Sequence, residues 1–464
     1  MLITILAGAF ILSVVIIVHE FGHFIVAKKL GIYVKVFSVG FGKKILKKRF
    51  GETVYALSML PFGGYVKFAG ETEGEKAEKD VPDDDDAPER KSQDETPDSE
   101  IDPSRYFVSK SPYRRGAVVF AGPFFNYLLA IVVYMGMFAI HGVSTIPDTQ
   151  VGEIVPGSTA DSVGLRLDDR ITAINVETVA DWDALVNKLV EAELNAQTLT
   201  VDRGGEVISI EYRLSMLDGG YKMGFYPHVS PRVGQVKFDA PAYKAGIRTG
   251  HEITSINDTL ITSYYDIERI IHANPEVPLY IGWNDGTVQH VDSITPQSKK
   301  VLKENSKTEF KIVGQIGIGP FYETRRVPVH NAFMMAVKSS NGMIVEILSF
   351  LKLMFTGQAG LDAVGGPIMI TQMAGDMARW GFNYLLYFLA FFSVNLCIFN
   401  LLPILPFDGG HLTLFTWEAV TRRKVNRRLR EVLAQAGFVL LILLMVFVVL
   451  VDVSRCTGSS PTVF

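Results

Sequence analysis

The chain has 464 residues, enough for several domains, and 48% of them are apolar although 20% are charged. A net charge of −4 over that length excludes a global basic surface of the kind that binds nucleic acid. Two cysteines, Cys397 and Cys456, exclude a disulfide framework and a cysteine-built zinc site.

Leu2 to Val18 is almost wholly apolar, and the run continues past His19, Glu20 and His23 to Ala27. At about 1.5 Å per residue this predicts a first membrane-spanning helix within residues 1–30. It lacks the basic start and the small-x-small cleavage site of a signal peptide. Ala117–Ile140 predicts a second span (112–141), Phe382–Leu402 a third (within 382–411) and Val432–Val451 a fourth (431–452). Basic clusters follow span one (Lys28 to Arg49), precede span two (Arg114, Arg115) and separate spans three and four (Arg422 to Arg430). The positive-inside rule places all three in the cytoplasm, with both termini and the long section from Gly142 to Gly381 outside.

Residues 31–70 carry a glycine-rich strand pattern, Phe37–Gly42 and Leu60–Val66, with Thr53–Leu57 between them. From Glu71 to Asp102 there are 15 acidic and 4 basic residues with four prolines at or near it, which predicts a disordered cytoplasmic linker at 71–104.

The external section holds an internal repeat. One copy begins at Val151 and runs through Val163-Gly164-Leu165 to Asn175; the other begins at Val233 and runs through Ala245-Gly246-Ile247 to Asn257. Each reads as a strand, a small-residue turn, a glycine loop and a strand ending at Asn, then a helix near Trp182–Val190 or Tyr264–His272. The pattern resembles PDZ domains of the bacterial protease type, at 149–217 and 230–325. Such domains take an extended peptide or a chain end onto a sheet edge. The segment 330–380 is apolar but broken by glycines, and Val337–Phe355 is expected to be an amphipathic helix at the outer surface, with a fifth span as the alternative.

The chemistry concentrates at His19-Glu20-Phe21-Gly22-His23, an H-E-x-x-H pattern on a predicted helix. Four residues apart is one helical face, so both imidazoles can reach one metal ion while Glu20 can touch a metal-bound water. Three ionisable residues at the end of a membrane helix demand partners. A third ligand must come from a distant segment, and Asn400 to His411 qualifies: Pro403, Pro406, Gly409 and Gly410 break the helix, and Asp408 is its one acid, with His411 as the rival ligand.

On these residues the chain resembles the site-2 protease family, in its bacterial form with two PDZ domains between the second and third spans. The first family motif matches His19, Glu20 and His23, and the N-x-x-P…D-G motif matches Asn400, Pro403, Asp408, Gly409 and Gly410. Phe37–Gly42 with Leu60–Val66 looks like the family's membrane-reentrant β-loop; Ala121–Asn126 and Gly365-Gly366-Pro367 also look like family segments. The resemblance implies a multi-pass α-helical membrane protein with four transmembrane helices, a reentrant β-loop and two tandem PDZ domains (α+β) outside. It implies one zinc ion on His19, His23 and Asp408, with Glu20 as general base. Asn400 is expected either to hydrogen-bond the substrate backbone or developing oxyanion or to steady the broken helix, and Gly40 and Gly42 are expected at the substrate. Expected substrates are single-pass membrane proteins, such as a trimmed anti-sigma factor, and remnant signal peptides. The expected place is the bacterial inner membrane with the PDZ pair in the periplasm. The β-hairpin of Gly40, Gly42 and Thr53–Leu57 is expected to offer an edge to an unwound substrate, and the PDZ pair to gate access. The intact Glu20 argues against a non-catalytic PDZ scaffold, and the lack of an inverted repeat among the spans argues against a metal transporter.

Overall fold

A computed structural model describes residues 1–70, 100–191, 195–217, 220–302, 310–356 and 365–456. Most of the acidic segment expected at 71–104 therefore lies outside the described residues. The chain divides into two compact units, Met1–Phe138 with Pro328–Ser460, and Ala139–Val327.

The first unit is built on helices α1 (Leu2–Lys29), α2 (Pro112–His141), α3 (Val329–Phe355), α4 (Pro367–Trp380), α5 (Phe382–Asn400), α6 (Asp408–Thr421) and α7 (Arg427–Cys456). Among the described residues α1, α2, α3, α5 and α7 are long and apolar enough to cross a membrane. The segment expected to hold an amphipathic surface helix thus forms a helix, α3, with the length and composition of a span.

Small residues let these helices approach. A Cβ at Gly22 of α1 would lie 2.4 Å from the Ala121 carbonyl oxygen of α2, a crossing that only glycine permits. Ala7, Ile11 and Val15 of α1 pack with Ala374 of α4 and with Leu385, Phe388 and Leu389 of α5. Arg115 of α2 pairs with Glu418 of α6 at 2.7 Å, both largely buried, and its guanidinium lies over Phe415. Asp452 of α7 accepts from the amides of Gly366, Ile368 and Met369 at 3.1 Å each. The start of α4 thus has its orphan donors satisfied by a carboxylate, which also complements the helix dipole.

Between α1 and α2, strands β1 (Val34–Phe50) and β2 (Thr53–Phe68) form one bent sheet. Val36–Val39 pairs with Gly64–Lys67 on one side and with Val54–Leu57 on the other. Leu46–Phe50 pairs with Thr53–Leu57. Gly40 and Gly42, at φ +89° and +84°, lie where β1 passes from one partner set to the other, in the region that favours glycine. Thr53–Leu57 is therefore an interior segment. Its backbone groups meet neighbours on both sides, so an edge offered by this sheet lies on other segments. The outer segments among the described residues are Lys44–Phe50 and Gly64–Phe68.

In the second unit the two copies of the repeat fold alike. The sheets run Glu177–Thr178, Arg170–Ile174, Gln197–Arg203, Glu206–Tyr212, and Thr259–Leu260, Glu252–Ile256, Leu279–Asn284, Gln289–Ile294, in the same order. Helices Trp182–Glu191 and Tyr264–Ala273 cover them. Asn175 and Asn257 sit at positive φ and each accepts from a backbone amide of the third strand, Thr198 at 3.0 Å and Tyr280 at 2.9 Å. Asn tolerates that backbone and closes the turn with its own side chain. Each copy has its own apolar core, one around Leu185, Leu199 and Phe225, the other around Ile253, Ile267 and Ile281. In the first copy Asp169 is buried, and Arg203 meets both its oxygens at 2.7 Å while the Arg166 amide adds a third bond. Burial works to raise that carboxyl, and these bonds outweigh it and hold it below the usual aspartate range.

Candidate active site

Among the described residues, one group of His, Cys, Asp or Glu side chains could hold a metal ion: His19, His23 and Asp408. The two histidines are one turn apart on α1, their rings edge-on at 4.7 Å between centroids. Their Nε2 atoms are 3.2 Å apart, and Asp408 Oδ2 lies 3.1 Å from the first and 3.5 Å from the second. Donors held at zinc bond lengths of about 2.0–2.1 Å in a tetrahedron stand about 3.3 Å apart. The observed triangle of 3.1–3.5 Å brackets that spacing. Asp408 Oδ2 is buried yet accepts no well-formed hydrogen bond from any described group, an open valence that a cation would fill. Two imidazoles and one carboxylate are also the donor set of catalytic zinc, which keeps a fourth position for water.

Helix α2 seats the histidines. His23 Nδ1 faces the Val118 carbonyl at 2.9 Å, and His19 Nδ1 faces the Asn126 amide at 3.2 Å. Between them, a Cβ at Gly122 would lie 2.4 Å from His23 Cε1 and Nε2 and 2.8 Å from His19 Cε1. Val118, Gly122 and Asn126 recur every four residues and so form one stripe of the helix. Gly122 and Asn126 lie in the family-like segment Ala121–Asn126, to which the sequence assigned no role at the metal site, and Val118 carried no sequence signal.

The third donor is set by a broken helix. Helix α5 stops at Asn400, residues 401–407 fold back, and α6 begins at Asp408. A Cβ at Gly409 would lie 2.3 Å from the Leu401 and Leu402 carbonyl oxygens, and one at Gly410 2.6 Å from the Leu405 nitrogen. The glycine pair lets the loop lie directly on the first turn of α6, and Asp408 benefits there from the positive end of the helix. His411 lies on α6 beside Phe415 and is not part of the donor triangle.

Glu20 follows His19 on α1, is half-buried, and acts electrostatically on His23. The outer segment of β2 runs past it: a Cβ at Gly64 would lie 3.6 Å from Glu20 Cγ. Asn400 ends α5 and is not one of the three donors. Gly40 and Gly42 belong to the bend of β1, not to the triangle.

Comparison with known proteins gives the same direction. The model of Peptidase family M50 matches residues 7–444. A Vibrio cholerae protein designated a zinc metalloprotease is 31% identical over 96% of this chain and 97% of its own length. The regulator of sigma-E protease of Salmonella typhimurium is 31% identical over 96% of this chain and 97% of its own. That of Escherichia coli K12 is 30% identical over the same shares. The chain belongs to peptidase family M50, the site-2 type of zinc metalloprotease.

Proposed function

We propose that this protein hydrolyses peptide bonds in the transmembrane segments of single-pass membrane proteins, with His19, His23 and Asp408 holding one zinc ion. The observation that carries the reading is the donor triangle, built by helices with the length and composition of membrane spans. Bound there, zinc supplies the Lewis acidity that makes water a competent nucleophile near neutral pH. Glu20, next to the first ligand, takes the proton from the attacking water and returns it to the leaving amine. Asn400, at the broken end of α5, hydrogen-bonds the substrate backbone or the developing oxyanion. The surrounding apolar helices keep bulk water from the site.

A helical substrate hides its amides in its own hydrogen bonds and must unwind before attack. The outer segment Gly64–Phe68, which passes Glu20, is the edge on which the unwound chain is held, with Gly40 and Gly42 shaping the sheet behind it. A substrate cysteine near the cut should cross-link to Tyr65→Cys and not to Lys48→Cys on the opposite edge; the reverse pattern would sink this placement.

The matched copies in the second unit are tandem PDZ domains in the periplasm that gate access, either excluding bulky outer domains or binding a new chain end. Removing them frees untrimmed substrates for cutting in the first case and stops cutting of trimmed ones in the second. Four helices, α1, α2, α5 and α7, cross the inner membrane, and α3 lies at its outer surface; reporter fusions on either side of α3 would report opposite compartments if it crossed. The relatives that regulate sigma-E support an anti-sigma factor as one substrate, alongside remnant signal peptides.

The deciding experiment is cleavage of a single-pass substrate by purified protein, wild type beside Glu20→Gln, with zinc measured in both. A drop of about 10²–10⁴-fold with equal zinc is expected. Equal cleavage by the two proteins would remove Glu20 from its role.

A further inference from the structure

We propose that the side-chain amide of Asn126 is a positioning residue that fixes the ring of His19 by accepting its Nδ1 proton. The inference deepens the zinc-site reading above and rests on it.

Both Nε2 atoms point into the triangle with Asp408. A neutral imidazole that offers one nitrogen as a ligand carries its proton on the other, and that proton requires an acceptor. For His23 the acceptor is the Val118 carbonyl at 2.9 Å. For His19 the group 3.2 Å from Nδ1 is the Asn126 amide. The two ends of that amide fill the same space. With its NH₂ toward Nδ1, the ring would be forced to carry its proton on Nε2, aimed at His23 and Asp408, and no metal could be taken there. Turned over, Oδ1 accepts the Nδ1 proton and leaves Nε2 free. Asn126 Oδ1 is buried and is the end of the amide that otherwise has no hydrogen-bond partner.

The residue is built into its place. Asn126 is fully buried, and its own carbonyl accepts from the Ser393 hydroxyl of α5 at 2.8 Å. One residue therefore touches both neighbours, α5 through its backbone carbonyl and the first ligand on α1 through its side chain.

The test is the zinc dissociation constant of the purified full-length protein, by chelator competition, for wild type, Asn126→Leu and Asn126→Asp. Losing the acceptor in Asn126→Leu should weaken zinc binding about 10- to 100-fold, and Asn126→Asp, which keeps an acceptor, should hold zinc as the wild type does. Wild-type affinity in Asn126→Leu overturns the proposal. So does an equal loss in both variants, which would mark a packing role. Should Asn126→Leu fail to fold, Asn126→Ala is read against Asn126→Asp in the same way. A wild type that takes up no zinc overturns the zinc-site reading and this inference with it.

Discussion

Two aspartates, Asp169 fully buried and Asp408 half-buried, make an instructive contrast. In the repeat-bearing unit Asp169 has both oxygens engaged by Arg203 and one also by the Arg166 amide. In the helical unit Asp408 turns a buried oxygen toward two imidazole nitrogens and accepts no well-formed hydrogen bond there. A saturated carboxylate has finished its work once the chain is folded. An unsaturated one, held in place by a glycine-pair turn, retains capacity for something that is not part of the chain. The same residue type is thus a brace at Asp169 and a proposed ligand at Asp408, and the difference lies in what surrounds it.

The contrast can be broken from either side. The larger effect is expected at Asp408. Asp408→Asn keeps the shape and removes the charge, and zinc affinity should fall by more than the about 100-fold that a lost outer partner costs, with thermal unfolding little changed. Lost stability with unchanged zinc binding would make Asp408 a brace after all. The smaller effect is expected at Arg203. Arg203→Ala leaves Asp169 buried with only the Arg166 amide, and should lower the denaturant midpoint of the repeat unit. Zinc content should stay at the wild-type level. Acid sharpens this case. The Asp169 carboxyl is held below its ordinary value in the folded chain, so its contribution is complete above about pH 4 and fades as pH falls through the lowered value. Arg203→Ala should lose that acid dependence.

The helical unit was legible in the sequence where the signal is local. His19 and His23 share a face because four residues nearly close one turn, and prolines with a glycine pair announce the break before Asp408. The seat of the histidines was not legible, because Val118, Gly122 and Asn126 gain their meaning from the crossing of α1 over α2, about a hundred residues apart in sequence. The strand pattern at Thr53–Leu57 was visible, but its interior place was not: β1 bends at Gly40 and Gly42 and pairs with β2 on two sides, and pairing is decided outside any local window. Helix α3 shows a third limit. Gly342 and scattered polar residues lower its apolar character without shortening it, so composition alone argues for a surface and length alone for a crossing.

The donor triangle also sets a clock on the making of the protein. Asp408 leaves the ribosome 385 residues after His23 (408 − 23). At about 5–20 residues per second, the histidines wait roughly 20–80 seconds for their partner. A chain interrupted anywhere before α6 carries Glu20 and two imidazoles but no complete donor triangle, so the site cannot assemble until α6 has been made.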